Sequence, residues 1–136
     1  MTESTSTSNI DVVRSFYDNL ASEETFPAAL ELMDDDFVVH CPPGLPWGRD
    51  YHGREGMIEL ITAVASTVSM AGEGPMEFYD AGDRVFVAAK GRYTSLKNGN
   101  SAVTSVVEVL TVRDGKLLVM DIYYKEPEAV AGLDAA

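Results

Sequence analysis

The sequence predicts an α+β domain, with three N-terminal helices laid against a long antiparallel sheet. Three observations predict it. Apolar residues recur at helical spacing in the first half, as in Ile10, Val13, Tyr17, Leu20 and again in Met57, Leu60, Ile61, Val64, Val68. Residues 76–125 are mostly long apolar and β-branched runs. Gly82-Asp83, Asn98-Gly99 and Asp114-Gly115 cut those runs at turn positions. If the long strands curl, sheet and helices enclose a cone with an apolar pocket; a flat sheet over a solid core satisfies the same pattern.

The elements follow in order. Residues 1–8 are a polar tail with nothing to bury, expected to be disordered, except that Ser8 suits a helix N-cap with Asp11 three residues on. Helix one then covers about 9–21. Pro27 fits the first turn of helix two, with Phe26, Leu30 and Met33 inward and Asp34-Asp35-Asp36 ending it. Phe37–Cys41 is a short strand, stopped by Pro42-Pro43-Gly44, and a long loop runs to His52-Gly53. Helix three spans about 55–69 until residues 71–75 break it. Strands follow over Met76–Asp80, Arg84–Ser95, Ala102–Arg113 and Lys116–Lys125. The domain is thus residues 9–127, and 128–136 form a small-residue C-terminal tail.

The chain has 136 residues, enough for one domain with a core that needs no staples. Acids outnumber bases 22 to 10, for a net charge of −12, so binding to a phosphate backbone is not expected. The excess sits early: residues 1–36 hold nine acids and one base. The lone Cys41 cannot form an intramolecular disulfide, which fits a reducing compartment. No apolar run approaches the roughly 20 residues of a membrane span, and the opening residues lack the basic and apolar regions of a secretory signal. A cytoplasmic protein without membrane contact is the expectation.

The strand pattern describes an interior. With Lys97 opposite Asn100 in the hairpin, Val85, Val87, Ala89 and Gly91 share a face with Val106, Glu108, Leu110 and Val112. That face is apolar apart from Glu108, whose carboxyl should be desolvated and its pKa raised. The opposite face carries Lys90 and Arg92; a one-residue bulge would instead bring Lys90 opposite Glu108. The last strand is apolar on both faces, Leu118, Met120, Ile122 and Tyr124 alternating with Leu117, Val119, Asp121 and Tyr123. Two covered faces imply a pocket on one side and another chain, a homodimer partner, on the other.

VVRSFYDNLAS in helix one, DDDFVVHCPPG, YHGREGM, AGDRVFVAAKGRYT and VVEVLTVRDGKLLVMDIYY together resemble the nuclear transport factor 2-like superfamily, over about residues 9–125. Its members include ketosteroid isomerase, limonene epoxide hydrolase, scytalone dehydratase and the SnoaL-like polyketide cyclases, the last being nearest in flavour. The resemblance implies the conical α+β fold and a pocket reaction. It places Cys41 where the isomerase has its general-base Asp, Phe16 at its oxyanion-hole Tyr and Glu108 at its protonated Asp. The three charged positions of the epoxide hydrolase fall on Ala89, Gly91 and Ile122. A His is frequent among SnoaL-like members where His40 stands.

The candidate catalytic residues are therefore His40 as base, Glu108 as a neutral oxyanion donor, and Tyr124 assisting. Phe16, Trp47, Tyr51, His52, Val106, Leu110, Met120 and Ile122 are the expected substrate contacts, with the loop of Trp47 and Tyr51 either a lid or a loop stapled by its own aromatics. Arg54 and Glu55 brace the start of helix three. Two histidines without a third ligand do not make a metal site, and no phosphate loop, dinucleotide fingerprint or serine elbow is present, so no metal or cofactor is expected. The sequence thus points to a cofactor-independent isomerase, cyclase or dehydratase acting on a small apolar carbonyl or enol. The alternatives are a non-catalytic ligand-binding or dimerisation module, and an epoxide hydrolase of the limonene type.

Overall fold

The computed structural model of the protein describes residues 8–135; residues 1–7 of the expected tail lie outside them. Helix α1 runs Asn9–Leu20, and the Ser8 hydroxyl accepts from the Asp11 N–H at 3.3 Å. Val12, Val13 and Phe16 form its buried stripe. Helix α2 is short, Phe26–Glu31.

Met33 belongs to strand β1, Met33–His40, rather than to helix two. The acidic run that was to end the helix lies inside this strand. Tertiary partners override the local signal: the Leu117 N–H donates to the Leu32 carbonyl at 2.8 Å. Arg113 meets Asp34 at 3.2 Å and Asp36 at 3.9 Å, and Arg54 meets Asp35 at 2.9 Å. Strand β2, Asp50–His52, pairs with β1 and leads into α3, Gly53–Thr67. The last turn expected for helix three is instead strand β3, Val68–Gly72, drawn into the sheet by pairing with Gly91–Ser95.

Strands β4 (Glu77–Ala81), β5 (Arg84–Ser95), β6 (Ser101–Arg113) and β7 (Lys116–Tyr124) complete the sheet. Its order is β2-β1-β7-β6-β5-β3, with β4 also on β5. All pairs are antiparallel except β1 with β7. Between β5 and β6, Val87 faces Glu108 and Lys90 faces Ser105. This register is two residues shorter than a tight Asn98-Gly99 hairpin gives, because residues 95–100 form a wider loop closed by Ser95 N–H to Asn100 carbonyl at 2.8 Å. A shift of two keeps every side chain on its expected face, and the Lys90–Glu108 juxtaposition does not form. In β7 a bulge against Thr111 and Val112 turns Leu117 inward with Met120 and Ile122, so Leu118 leaves their face.

After β7 the chain folds back. Helix α4, Pro127–Ala131, and a 3-10 turn, Leu133–Ala135, bury Val130 and Leu133. The side-chain amides of Asn98 and Asn100 donate to the Leu133 carbonyl at 2.8 and 3.2 Å, and the Ser95 hydroxyl donates to Asp134. No helix among the described residues is long and apolar enough to cross a membrane.

Candidate active site

The sheet and the helices α1 and α3 enclose a cavity of about 680 Å³, lined overwhelmingly by carbon. Alternation in β6 sends Val106 and Glu108 into it, and alternation in β7 sends Met120, Ile122 and Tyr124. Helix α3 adds Met57, Leu60, Ile61 and Val64, and α1 adds Tyr17 and Leu20.

The inner polar group is a pair. The Tyr17 hydroxyl donates to a Glu108 carboxylate oxygen. The Tyr17 ring is held edge-on by Phe16 at 5.4 Å and Phe78 at 5.9 Å between centroids. Glu108 is half-buried and lines the cavity. Burial pushes its carboxyl above the usual range, and the Tyr17 hydrogen bond opposes that shift. Burial, then the adjacent Glu108 charge, push the Tyr17 phenol well above its ordinary value. Burial, reinforced by Glu108 and Asp50, pushes the Cys41 thiol up to about 12.

Trp47 reaches the cavity on a loop fixed from within. Cys41 N–H donates to the Arg49 carbonyl at 3.2 Å, and the buried Tyr51 hydroxyl donates to the Trp47 carbonyl at 2.7 Å. The Arg49 guanidinium caps the Tyr51 ring at 3.9 Å. Gly48 packs so closely that a Cβ there would lie 1.9 Å from the Pro42 carbonyl oxygen. The loop is a stapled wall rather than a lid. On the far side, the Tyr93 and Tyr124 hydroxyls stand 3.5 Å apart.

Of the expected residues, the structure brings Glu108, Tyr124, Trp47, Val106, Met120 and Ile122 together around the cavity. It does not bring His40 there. Val39 and Cys41 take the inward positions of their run, so the imidazole between them points outward, its Nδ1 2.8 Å from the Asp50 carboxylate. His52 is exposed ahead of α3. Phe16, Tyr51 and Leu110 are filled core, at most 1% exposed, and do not line the cavity. One step along α1 rotates a side chain by about 100°, and this separates the buried Phe16 from the cavity-lining Tyr17. The sequence pattern does not single out Tyr17 and Tyr93, which line the cavity. The available signal for Tyr17 was a phenol on the apolar stripe of helix one.

Tyr124 meets Tyr93 rather than Glu108. The epoxide-hydrolase positions Ala89, Gly91 and Ile122 do line the cavity but supply neither guanidinium nor carboxylate. Among the described residues no group of three or more His, Cys, Asp or Glu is placed to hold a metal ion.

A family model described as the SnoaL-like domain matches residues 13–120. No curated protein matches the chain. Among solved structures, a nuclear transport factor 2-like protein from Burkholderia xenovorans LB400 is similar at a TM-score of 0.84 and 20% identity, covering 93% of this chain and 95% of its own. TerC, co-crystallised with polyporic acid, is similar at a TM-score of 0.79 and 27% identity, covering 94% of this chain and 98% of its own. A Mesorhizobium loti protein, provisionally described as a SnoaL-like polyketide cyclase, aligns at a TM-score of 0.67 and 22% identity, covering 87% of this chain and 100% of its own.

Proposed function

The chain belongs to the SnoaL-like domain family, and on that premise we propose that it is a cofactor-independent acid/base enzyme of the isomerase, cyclase or dehydratase type, acting on a small apolar carbonyl- or enol-bearing molecule. The observation that carries the reading is the Glu108 carboxyl inside an apolar cavity, held by the Tyr17 phenol. The provisional cyclase description of one neighbour and the co-crystallisation of TerC with polyporic acid agree with a small organic ligand.

With His40 outside the cavity, the proton-moving role passes to Glu108. Its carboxylate takes a proton from carbon next to a carbonyl, and the C–H electron pair moves into the enolate. The resulting acid returns the proton to another carbon, or gives it to a departing hydroxyl. Tyr17, donating to one carboxylate oxygen, leaves the other free to face the ligand and limits how far burial raises the carboxyl.

The test is hydrogen–deuterium exchange at the α-carbons of a panel of apolar ketones in D2O, followed by NMR. Wild type exchanges faster than buffer, and Glu108→Gln loses at least about a hundredfold. Equal exchange by both proteins across the panel refutes the assignment. Tight binding without exchange supports the second reading, a ligand-binding module, which the high thiol pKa of Cys41 and the outward His40 favour because Glu108 then has no second base.

The outer sheet face belongs to the same proposal, as the seam of a homodimer. It carries a groove in which Phe86, Val107, Val109, Val119 and Tyr123 stand among Arg84, Thr111 and Asp121, and Tyr123 remains 56% exposed and Phe86 37%. Val107→Asp converts a dimer to a monomer in sedimentation; a monomeric wild type refutes the seam.

A further inference from the structure

Glu108 is a half-buried acid without a counter-charge. Its hydrogen-bond partner, the Tyr17 hydroxyl, is neutral. None of the ion pairs among the described residues includes it. Lys90 borders the cavity, but it stands opposite Ser105 on the outer face of the sheet and is exposed. A carboxylate set among carbon loses hydration, and a cation brought beside it offsets that loss. The cavity offers such a cation more than charge. Tyr17, Trp47, Tyr93 and Tyr124 line it together with Glu108, giving four aromatic rings and three phenol oxygens able to accept hydrogen bonds. The Tyr93 and Tyr124 rings lie 5.8 Å apart between centroids, tilted by 46°. The protein as a whole carries a net charge of −12, which concentrates cations around it and disfavours anions.

We propose that the cavity binds an organic ammonium ion: an apolar amine whose protonated nitrogen pairs with the Glu108 carboxylate among the tyrosine and tryptophan rings, while its hydrocarbon body fills the apolar remainder. This goes beyond the proton-transfer reading. It needs the charge of the carboxylate and not its basicity, and a bound amine occupies the group that proton transfer uses. The same charge turns away an acid of the same shape.

The experiment titrates 2-aminotetralin, tetralin and 1,2,3,4-tetrahydro-2-naphthoate into the protein by calorimetry at pH 8; they are one bicycle carrying a cation, no charge and an anion. Wild type binds the amine at least about tenfold more tightly than tetralin, and the carboxylate more weakly than tetralin. In Glu108→Gln the amine falls to the affinity of tetralin, which is itself unchanged. A second measurement stays with the wild type. Tyr17, Cys41, Tyr93 and Tyr124 all hold pKa values above their ordinary ones. Of these four and Glu108, only Glu108 therefore changes charge between pH 8 and pH 4, and the advantage of the amine disappears at pH 4 while tetralin binds as before. This arm decides the matter if Glu108→Gln does not fold. An amine that binds no more tightly than tetralin, an advantage that survives in Glu108→Gln or at pH 4, or a carboxylate bound as tightly as the amine overturns the proposal. Failure of the proton-transfer reading shows separately, as a protein that binds the amine through Glu108 yet exchanges no α-hydrogen.

Discussion

Replacing Glu108 by Gln tests the burial of the carboxyl without any substrate. The folded protein holds this group with a pKa above that of the unfolded chain. Between those two values the folded state binds the extra proton, so stability falls as pH rises through the window and levels off above the folded value. Below the unfolded value both states are protonated and the group contributes no pH dependence. Gln keeps the shape and the acceptor for Tyr17 but never ionises. The difference in stability between Glu108→Gln and wild type should be near zero at pH 4 and grow by about 1.4 kcal/mol for each pH unit of the window. For a chain of this size that is about 5 °C in Tm per unit. Thermal unfolding at half-unit steps from pH 4 to 8 measures it, and the upper limit keeps Tyr17 protonated. A flat difference, or one that shrinks with pH, would refute a desolvated carboxyl and with it the proposed chemistry.

Two further changes probe the scaffold around the cavity. Gly48→Ala drives a methyl into the Pro42 carbonyl, so we expect a loss of about 1–3 kcal/mol and a red shift of Trp47 fluorescence as its loop opens; unchanged emission and Tm would contradict the tight packing. Arg54→Lys gives up a fork that donates to the Leu30 and Met33 carbonyls at 3.0 and 2.7 Å and binds Asp35, and should lower stability by about 1–2 kcal/mol in denaturant melts.

Much of this arrangement could be read from residue order, for a physical reason that also explains the errors. Side-chain parity along a strand survives any even shift, so the face that holds Glu108 is legible in residue order although the hairpin loop is wider than its Asn98-Gly99 signal implies. Parity fails where a bulge inserts a residue, as at Leu118. His40 shows another limit: a residue's position at a strand end says nothing of which face it takes until its neighbours are known to be buried, and Val39 and Cys41 claim the inside. On α1 the step of about 100° between Phe16 and Tyr17 is no wider than the apolar stripe that holds both, so the stripe does not tell them apart. Asp34, Asp35 and Asp36 look like a terminator only while Arg54 and Arg113, their partners from distant segments, are out of view.

The parallel pairing of β1 with β7 sets a timetable for biosynthesis. It joins Val38 to Val119 and Val39 to Met120, partners 81 positions apart in sequence. Until β7 leaves the ribosome, β1 has only β2 beside it, and the sheet that α1 packs against is incomplete. Assembly is thus a late, all-at-once event, and nascent chains halted before residue 116 should depend on chaperones to stay out of aggregates.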